Sequence, residues 1–225
     1  MKKQLKLAIC LDGVIRNKVA AFDQMYRKKY IRNEGLVKMN DNFEAVEENE
    51  DEDEEKRIEN LIKDKIHLPI STPDLSNHYE FESEKEFSNF HNMEYVLQIY
   101  GVAMMFPKAM DTANRLQAIG EHTTNFTTSI IAEGFEQVIT ATYHFLTKNA
   151  CRIKNISFLK IDSSVWDSYD IIITDLPELL DSKPSGKVSI KVNQSYNEGS
   201  SGDIIVESLK ELNPSDLLAL IPSNT

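Results

Sequence analysis

The chain has 225 residues, 41 % of them hydrophobic, and a formal net charge of −11. That length suits one sizeable α/β domain or a domain with an insertion. The acidic balance argues against a nucleic-acid binder, because phosphate backbones need basic surface.

In chain order, residues 5–11 read as a buried strand that runs into Asp12-Gly13-Val14-Ile15. The start, Met1 to Leu5, is faintly signal-like, but the apolar stretch after it is short and is broken by Lys6 and Asp12. No apolar run approaches the roughly 18 residues of a membrane helix. The two cysteines, Cys10 and Cys151, read as free buried thiols of a reducing compartment. Residues 17–32 read as a helix, with Asn17 as its N-cap and Val19, Ala20, Phe22, Tyr26 and Tyr30 as an apolar stripe.

Residues 33–92 differ in character. The run 47–55 is almost pure carboxylate, which repels itself, extends the chain and favours solvation. A sharper reading makes it a docking surface for a basic partner. It lacks the glycine and spacing of a calcium loop. Arg57 to Ile66 suits a short amphipathic helix, and His67 to Asn77, with two prolines, an irregular linker.

From Pro107 the pattern becomes regular. Pro107 opens a helix to Ile119, with Gly120 as its stop. A strand over 126–132, a helix over 134–148 and a strand over 153–161 follow. Asp170 to Thr174 is a β-branched strand that enters the turn Asp175-Leu176-Pro177-Glu178, and 187–192 is a further strand. The tail from Gly199 reads as an appended arm. Alternating strands and helices predict a parallel sheet covered on both faces, with ligands outside the carboxyl ends of the strands. Asp12 and Asp175 both fall at such ends.

The stretch Leu5 to Ile15 resembles the first motif of the haloacid dehalogenase-like (HAD) phosphohydrolases, whose usual form is Asp-x-Asp-Gly-Val. The later package Asp170 to Asp175, Pro177, Gly186-Lys187 and Tyr196-Asn197 is similar to the deoxyribonucleotidase-like and phage-encoded members. The resemblance implies a three-layer α/β/α parallel sheet with an inserted acidic cap-like segment. The core would be 1–32 and 106–198, the cap or partner-binding insertion 33–105, and the C-terminal arm 199–225. It also implies magnesium as the cofactor, if any.

In active members of that family the first aspartate attacks phosphorus and the second moves the proton. Alternation in a strand puts residues i and i+2 on one side. Here Cys10 replaces the usual nucleophile, and Asp12 holds the acid/base position and a metal position. A thiol is a poor ligand for a hard cation. Cys10 reads either as a small buried hydrophobe or as a thiolate nucleophile. Arg16 is the arginine nearest to it. The second-motif hydroxyl falls to Ser129, or to Thr128, depending on register, because the expected slot is Ile131. The phosphate-neutralising lysine falls to Lys160, with Lys154 and Lys148 as alternatives. Asp175 is the second metal position, and Gly13 and Lys183 are candidate substrate-binding positions.

The expectation is therefore a catalytically impaired HAD-like protein acting as a binding or structural assembly module. By analogy it is phage-encoded and a virion component, otherwise cytoplasmic. It would have a protein partner on 47–55, no nucleic acid and no membrane, and it would form a homo-oligomer or larger assembly. The alternative is a magnesium-dependent phosphatase or 5'-nucleotidase acting on a small phosphate monoester.

Overall fold

β1 (Leu5–Cys10) is buried over its last four residues, as a central parallel strand must be. It pairs in parallel with β2 (Phe126–Glu133) on one side and β4 (Ile171–Thr174) on the other. β3 (Asn155–Leu159), β5 (Val188–Val192) and β6 (Ile204–Val206) complete a 6-stranded sheet in the order β3-β2-β1-β4-β5-β6. Every adjacent pair is parallel. The computed structural model describes residues 4–31, 70, 72–123 and 125–220. The three-layer α/β architecture expected from the alternation of elements is present.

The helices are α1 (Lys18–Tyr26), α2 (Glu84–Asn89), α3 (Ala109–Thr123), α4 (Glu136–Lys148), α5 (Val165–Ser168), α6 (Pro177–Asp181) and α7 (Pro214–Leu220). Asn17 caps α1 by accepting from the Ala20 N–H at 3.0 Å. The helix runs on as a π turn over Arg27–Ile31. No helix among the described residues is long and apolar enough to cross a membrane.

The main core joins β1, β2 and β4 to Ala113 and Leu116 of α3 and to Phe145 of α4. A second cluster is largely aromatic: Phe22 and Tyr26 of α1 pack with Tyr79, Phe90, Ile99 and Tyr100, and rest on Val138 and Ala141 of α4. Residues 199–220, read from sequence as an arm, add β6 to the sheet and bury Leu209, Leu212 and Leu217 in the main core. The acidic run 47–55 and the helix expected over 57–66 lie outside the described residues.

Gly120 does not stop α3, which continues to Thr123. Its hydrogen atom faces the sheet instead: a Cβ there would lie 2.5 Å from the Phe126 carbonyl oxygen. The glycine therefore serves close packing of helix on strand, not termination.

Candidate functional site

The register places Cys10 beside Ile131 and Ala8 beside Ser129. The carboxyl ends of β1, β2 and β4 therefore present Cys10, Ile131 and Asp175 to one cavity of about 200 Å³, which Asp12, Lys18, Glu133 and Tyr196 also line.

After β1 the chain turns back on itself. The amides of Ile15 and Arg16 donate to the Leu11 carbonyl at 3.0 and 2.8 Å, and the Gly13 amide donates to the Arg16 carbonyl at 3.0 Å. Gly13 has φ +76°, and a Cβ on it would lie 1.8 Å from Asp175 Oδ2. Only glycine lets the Asp175 carboxylate sit over this turn.

That turn carries Arg16 into the interior, where it is 0 % exposed. Its Nε donates to Asp12 Oδ1 at 2.6 Å and its Nη2 to Asp12 Oδ2 at 3.0 Å. Its Nη1 donates to the Tyr100 carbonyl at 2.8 Å and to Thr142 Oγ1 at 3.0 Å. The guanidinium also lies over the rings of Tyr100 and Phe145, 4.9 and 5.4 Å from their centroids. A planar fork holding both oxygens of a carboxylate is the strongest ion-pair geometry available to a side chain. Lys18, from the first turn of α1, places its Nζ 3.8 Å from Asp12 Oδ2 and 3.6 Å from Glu133 Oε2.

These neighbours set the charge states. Burial alone would raise the Asp12 carboxyl, but Arg16 and Lys18 outweigh it and hold Asp12 below the ordinary range. Burial would lower Lys18, but Glu133 and Asp12 outweigh it and raise the ammonium. Burial pushes the Cys10 thiol far up, and Asp175 and Asp12 add to the rise against a contact with Thr174. Cys10 is therefore a neutral thiol, not a nucleophilic thiolate.

Asp175 is 2 % exposed, and burial raises its pKa to about 6 despite the hydroxyl of Tyr196 on its Oδ2. Its Oδ1 is buried with no hydrogen-bond partner. Asn197 Nδ2 donates to the Asp175 carbonyl at 2.7 Å and to the Val192 carbonyl at 2.9 Å, tying the ends of β4 and β5 together. Deeper in, the Tyr100 hydroxyl donates to Glu133 Oε2 at 3.2 Å and lies 2.7 Å from His91 Nε2. One hydroxyl proton cannot serve both bonds, so His91 donates. Burial holds its pKa at about 3 and keeps it neutral.

Of the positions chosen from sequence, Cys10, Asp12, Gly13 and Asp175 come together around the cavity. Ser129 does not: it lies two residues before Ile131 on β2, below the strand end. Thr128 is a further residue back, with its hydroxyl buried and unpartnered. Lys160 is 88 % exposed and pairs with Asp162 at 3.0 Å, and Lys154 pairs with Glu121 at 2.8 Å. Lys183 holds both oxygens of Asp203 at 2.8 Å, outside the cavity lining. The cation at the site is Lys18, which the sequence reading passed over. The signal was present: a lysine at the N-terminal turn of the helix that follows the Asp12 loop.

No protein-family model and no curated protein sequence matches the chain. Solved structures do. A haloacid dehalogenase-like hydrolase from Bacteroides fragilis is similar with a TM-score of 0.54 at 13% identity, over 94% of this chain and 100% of that one. The β-phosphoglucomutase of Clostridium difficile gives 0.53 at 15% identity, over 97% of both chains. The HAD-hydrolase YfnB of Bacillus subtilis, bound to magnesium, gives 0.51 at 15% identity, over 93% of this chain and 97% of that one. At such identities the likeness establishes the HAD-like fold and nothing finer.

The fold family implies magnesium, which demands a near-octahedral set of oxygens. One observation suits it, the orphaned Asp175 Oδ1. The remaining donors do not. Cys10 offers a neutral thiol, Arg16 occupies both oxygens of Asp12, and an ammonium lies 3.8 Å from one of them. Among the described residues no group of three or more His, Cys, Asp or Glu side chains could hold a metal ion. The donor set does not fit the ion.

Proposed function

We propose that this HAD-like fold carries a binding site that does not hydrolyse phosphate esters, and that the protein works as a binding or assembly module. The observation that carries this reading is the buried clamp of Arg16 on Asp12. A proton-transfer residue must be free to give and take a proton near neutral pH. Asp12 is held ionised with both oxygens occupied, so it is a poor general acid and a poor base. Two residues earlier, the position that would attack phosphorus holds a thiol that burial keeps protonated. The two functions of the motif are lost together, and losing one member of a catalytic unit already costs several orders of magnitude. The acidic run 47–55 remains the proposed docking segment for a basic protein partner.

The test is phosphate release from 4-nitrophenyl phosphate and from nucleoside monophosphates, with and without magnesium. The wild-type chain is expected to match its Asp12→Asn variant, at background. Cys10→Asp is expected to stay at background too, because the restored carboxylate would face an Asp12 still clamped by Arg16. Magnesium-dependent release by the wild-type chain, lost in Asp12→Asn, would establish the phosphatase reading instead. The free oxygen of Asp175 is the one feature that favours that alternative.

A further inference from the structure

Among the strands, β3 alone has no buried residue from Asn155 to Leu159. It ends the sheet order, and among the described residues no strand pairs with its outer side. The backbone N–H and C=O groups on that side are a template for another strand. Natural edges are blunted by brevity, proline or a bulge. The opposite edge, β6, is blunted by its length of 3 residues. β3 has 5 residues, no proline and an unbroken one-to-one register with β2. An exposed aromatic patch adjoins it. Tyr143 of α4 is 48 % exposed, and its ring lies 5.2 Å from that of Phe158. Phe135, 55 % exposed, follows Gly134, where a Cβ would lie 3.2 Å from the Leu159 amide nitrogen. Both aromatics therefore flank the open edge. Exposed aromatic surface beside unpaired backbone is the composition of an association site.

We propose that this edge is the contact with a second copy of the chain, β3 pairing antiparallel with β3 about a two-fold axis at Ser157. Charge selects the occupant. Arg152, before the strand, is exposed and has no acidic partner among the described residues. Asp162 follows the strand. A two-fold axis at Ser157 sets residues equally distant from it opposite one another. Arg152 of each copy then faces Asp162 of the other. Within the strand, Ile156 comes opposite the second copy's Phe158. Alternation puts both on the α4 face, so apolar meets apolar. Lys154 and Lys160 also come opposite, and each keeps an acid of its own copy, Glu121 at 2.8 Å and Asp162 at 3.0 Å. Both α4 helices lie on one face of the joined sheet, with their aromatics beside the seam. An unrelated strand would satisfy the backbone but not the two reciprocal ion pairs. The contact goes beyond the reading above and does not depend on whether phosphate esters are hydrolysed.

Sedimentation velocity of the full chain over roughly 1–100 µM tests the proposal. A monomer–dimer equilibrium is expected. Arg152→Asp and Asp162→Arg, each setting like charges opposite, are each expected to weaken it about tenfold. An equimolar mixture of the two variants is expected to restore association, because each ion pair then re-forms with its ends exchanged. Asp162 also accepts from the amide and hydroxyl of Ser164, so circular dichroism checks the fold of that variant. Should it not fold, Tyr143→Glu, which changes an exposed side chain on α4, is expected to weaken the dimer about tenfold as well. A monomer at every concentration overturns the proposal. So does a dimer that neither Arg152→Asp nor Tyr143→Glu weakens, and so does a mixture of the charge-reversed variants that remains monomeric.

Discussion

Arg16 makes four hydrogen bonds from a fully buried position, two to the Asp12 carboxylate and two to the buried Tyr100 carbonyl and Thr142 hydroxyl. Arg16→Met would leave Asp12 with only the longer contact to Lys18, and the Tyr100 carbonyl and Thr142 hydroxyl without their donor. Breaking one side of a buried pair costs about 3–5 kcal/mol, which urea unfolding would register as a large drop in midpoint. Arg16→Lys is expected to recover little, because a point charge cannot fork across both oxygens. Asp175 contributes in the opposite sense with pH. Its folded pKa of about 6 lies above the unfolded value of about 3.9. The folded state therefore binds the proton more tightly, and the contribution of Asp175 is present at acid pH and lost as pH rises from about 4 to about 6. Asp12, held low by Arg16 and Lys18, gives stability above about pH 3.9 that is lost as pH falls through its folded value. The stability advantage of wild type over Asp175→Asn should thus shrink by about 3 kcal/mol between pH 4 and pH 7, measured by urea unfolding at each pH. A difference independent of pH would mean that Asp175 titrates as a solvated carboxylate. At this scale the sequence disclosed the acids and concealed the bases. Asp12 and Asp175 announce themselves at strand ends. Lys160 looked right by position along the chain, yet it points to solvent, whereas Lys18 reaches the site because α1 starts above the Asp12 turn.

Five of the six strands were legible because each is a short apolar run bounded by turn residues, whereas β6, only Ile204–Val206 at the sheet edge, was too short to stand out from the tail read as an arm. Gly120 was misread because a glycine near a helix end has two meanings, and only the neighbouring strand decides between them. Helix propensity says that alanine there should stabilise α3 by about 1 kcal/mol. Contact says the reverse: the new Cβ would lie 2.5 Å from the Phe126 carbonyl oxygen, a backbone atom that cannot swing aside. Overpacking of this kind costs about 1–3 kcal/mol, so Gly120→Ala is expected to lower the thermal midpoint. A raised midpoint would show that α3 can slide off β2 at no cost. The aromatic cluster was not legible at all. Phe22 and Tyr26 read as the stripe of a core helix, but they pack against Tyr79, Phe90 and Tyr100, which lie more than fifty positions later. Periodicity reports that a face is apolar and says nothing of what covers it.

At the scale of the molecule, Arg16 joins two bodies of packing. Its Nη1 reaches Tyr100 of the aromatic cluster and Thr142 of α4, while Nε and Nη2 hold the Asp12 turn at the end of the central strand. The same side chain that ties cluster to sheet thus occupies the oxygens on which a metal would depend, and stability and ion binding compete for Asp12. The competition has a measurable consequence. A ligand that binds only the folded state adds about 2.7 kcal/mol of stability at a hundred times its Kd. For a chain of this size 1 kcal/mol moves the midpoint by about 2–4 °C. A functional magnesium site would therefore raise the midpoint by roughly 5–10 °C at saturating ion. Because Arg16 holds both oxygens of Asp12 and a thiol stands at Cys10, thermal melts in magnesium chloride and in EDTA are expected to agree to about 1 °C. A saturable rise of several degrees would mean that the ion displaces Arg16 or Lys18 from Asp12. Repeating the melt with Lys18→Met separates the two cases. If the ammonium alone excludes the ion, the variant gains the shift; if the Arg16 clamp excludes it, the variant remains as indifferent to magnesium as the wild-type chain.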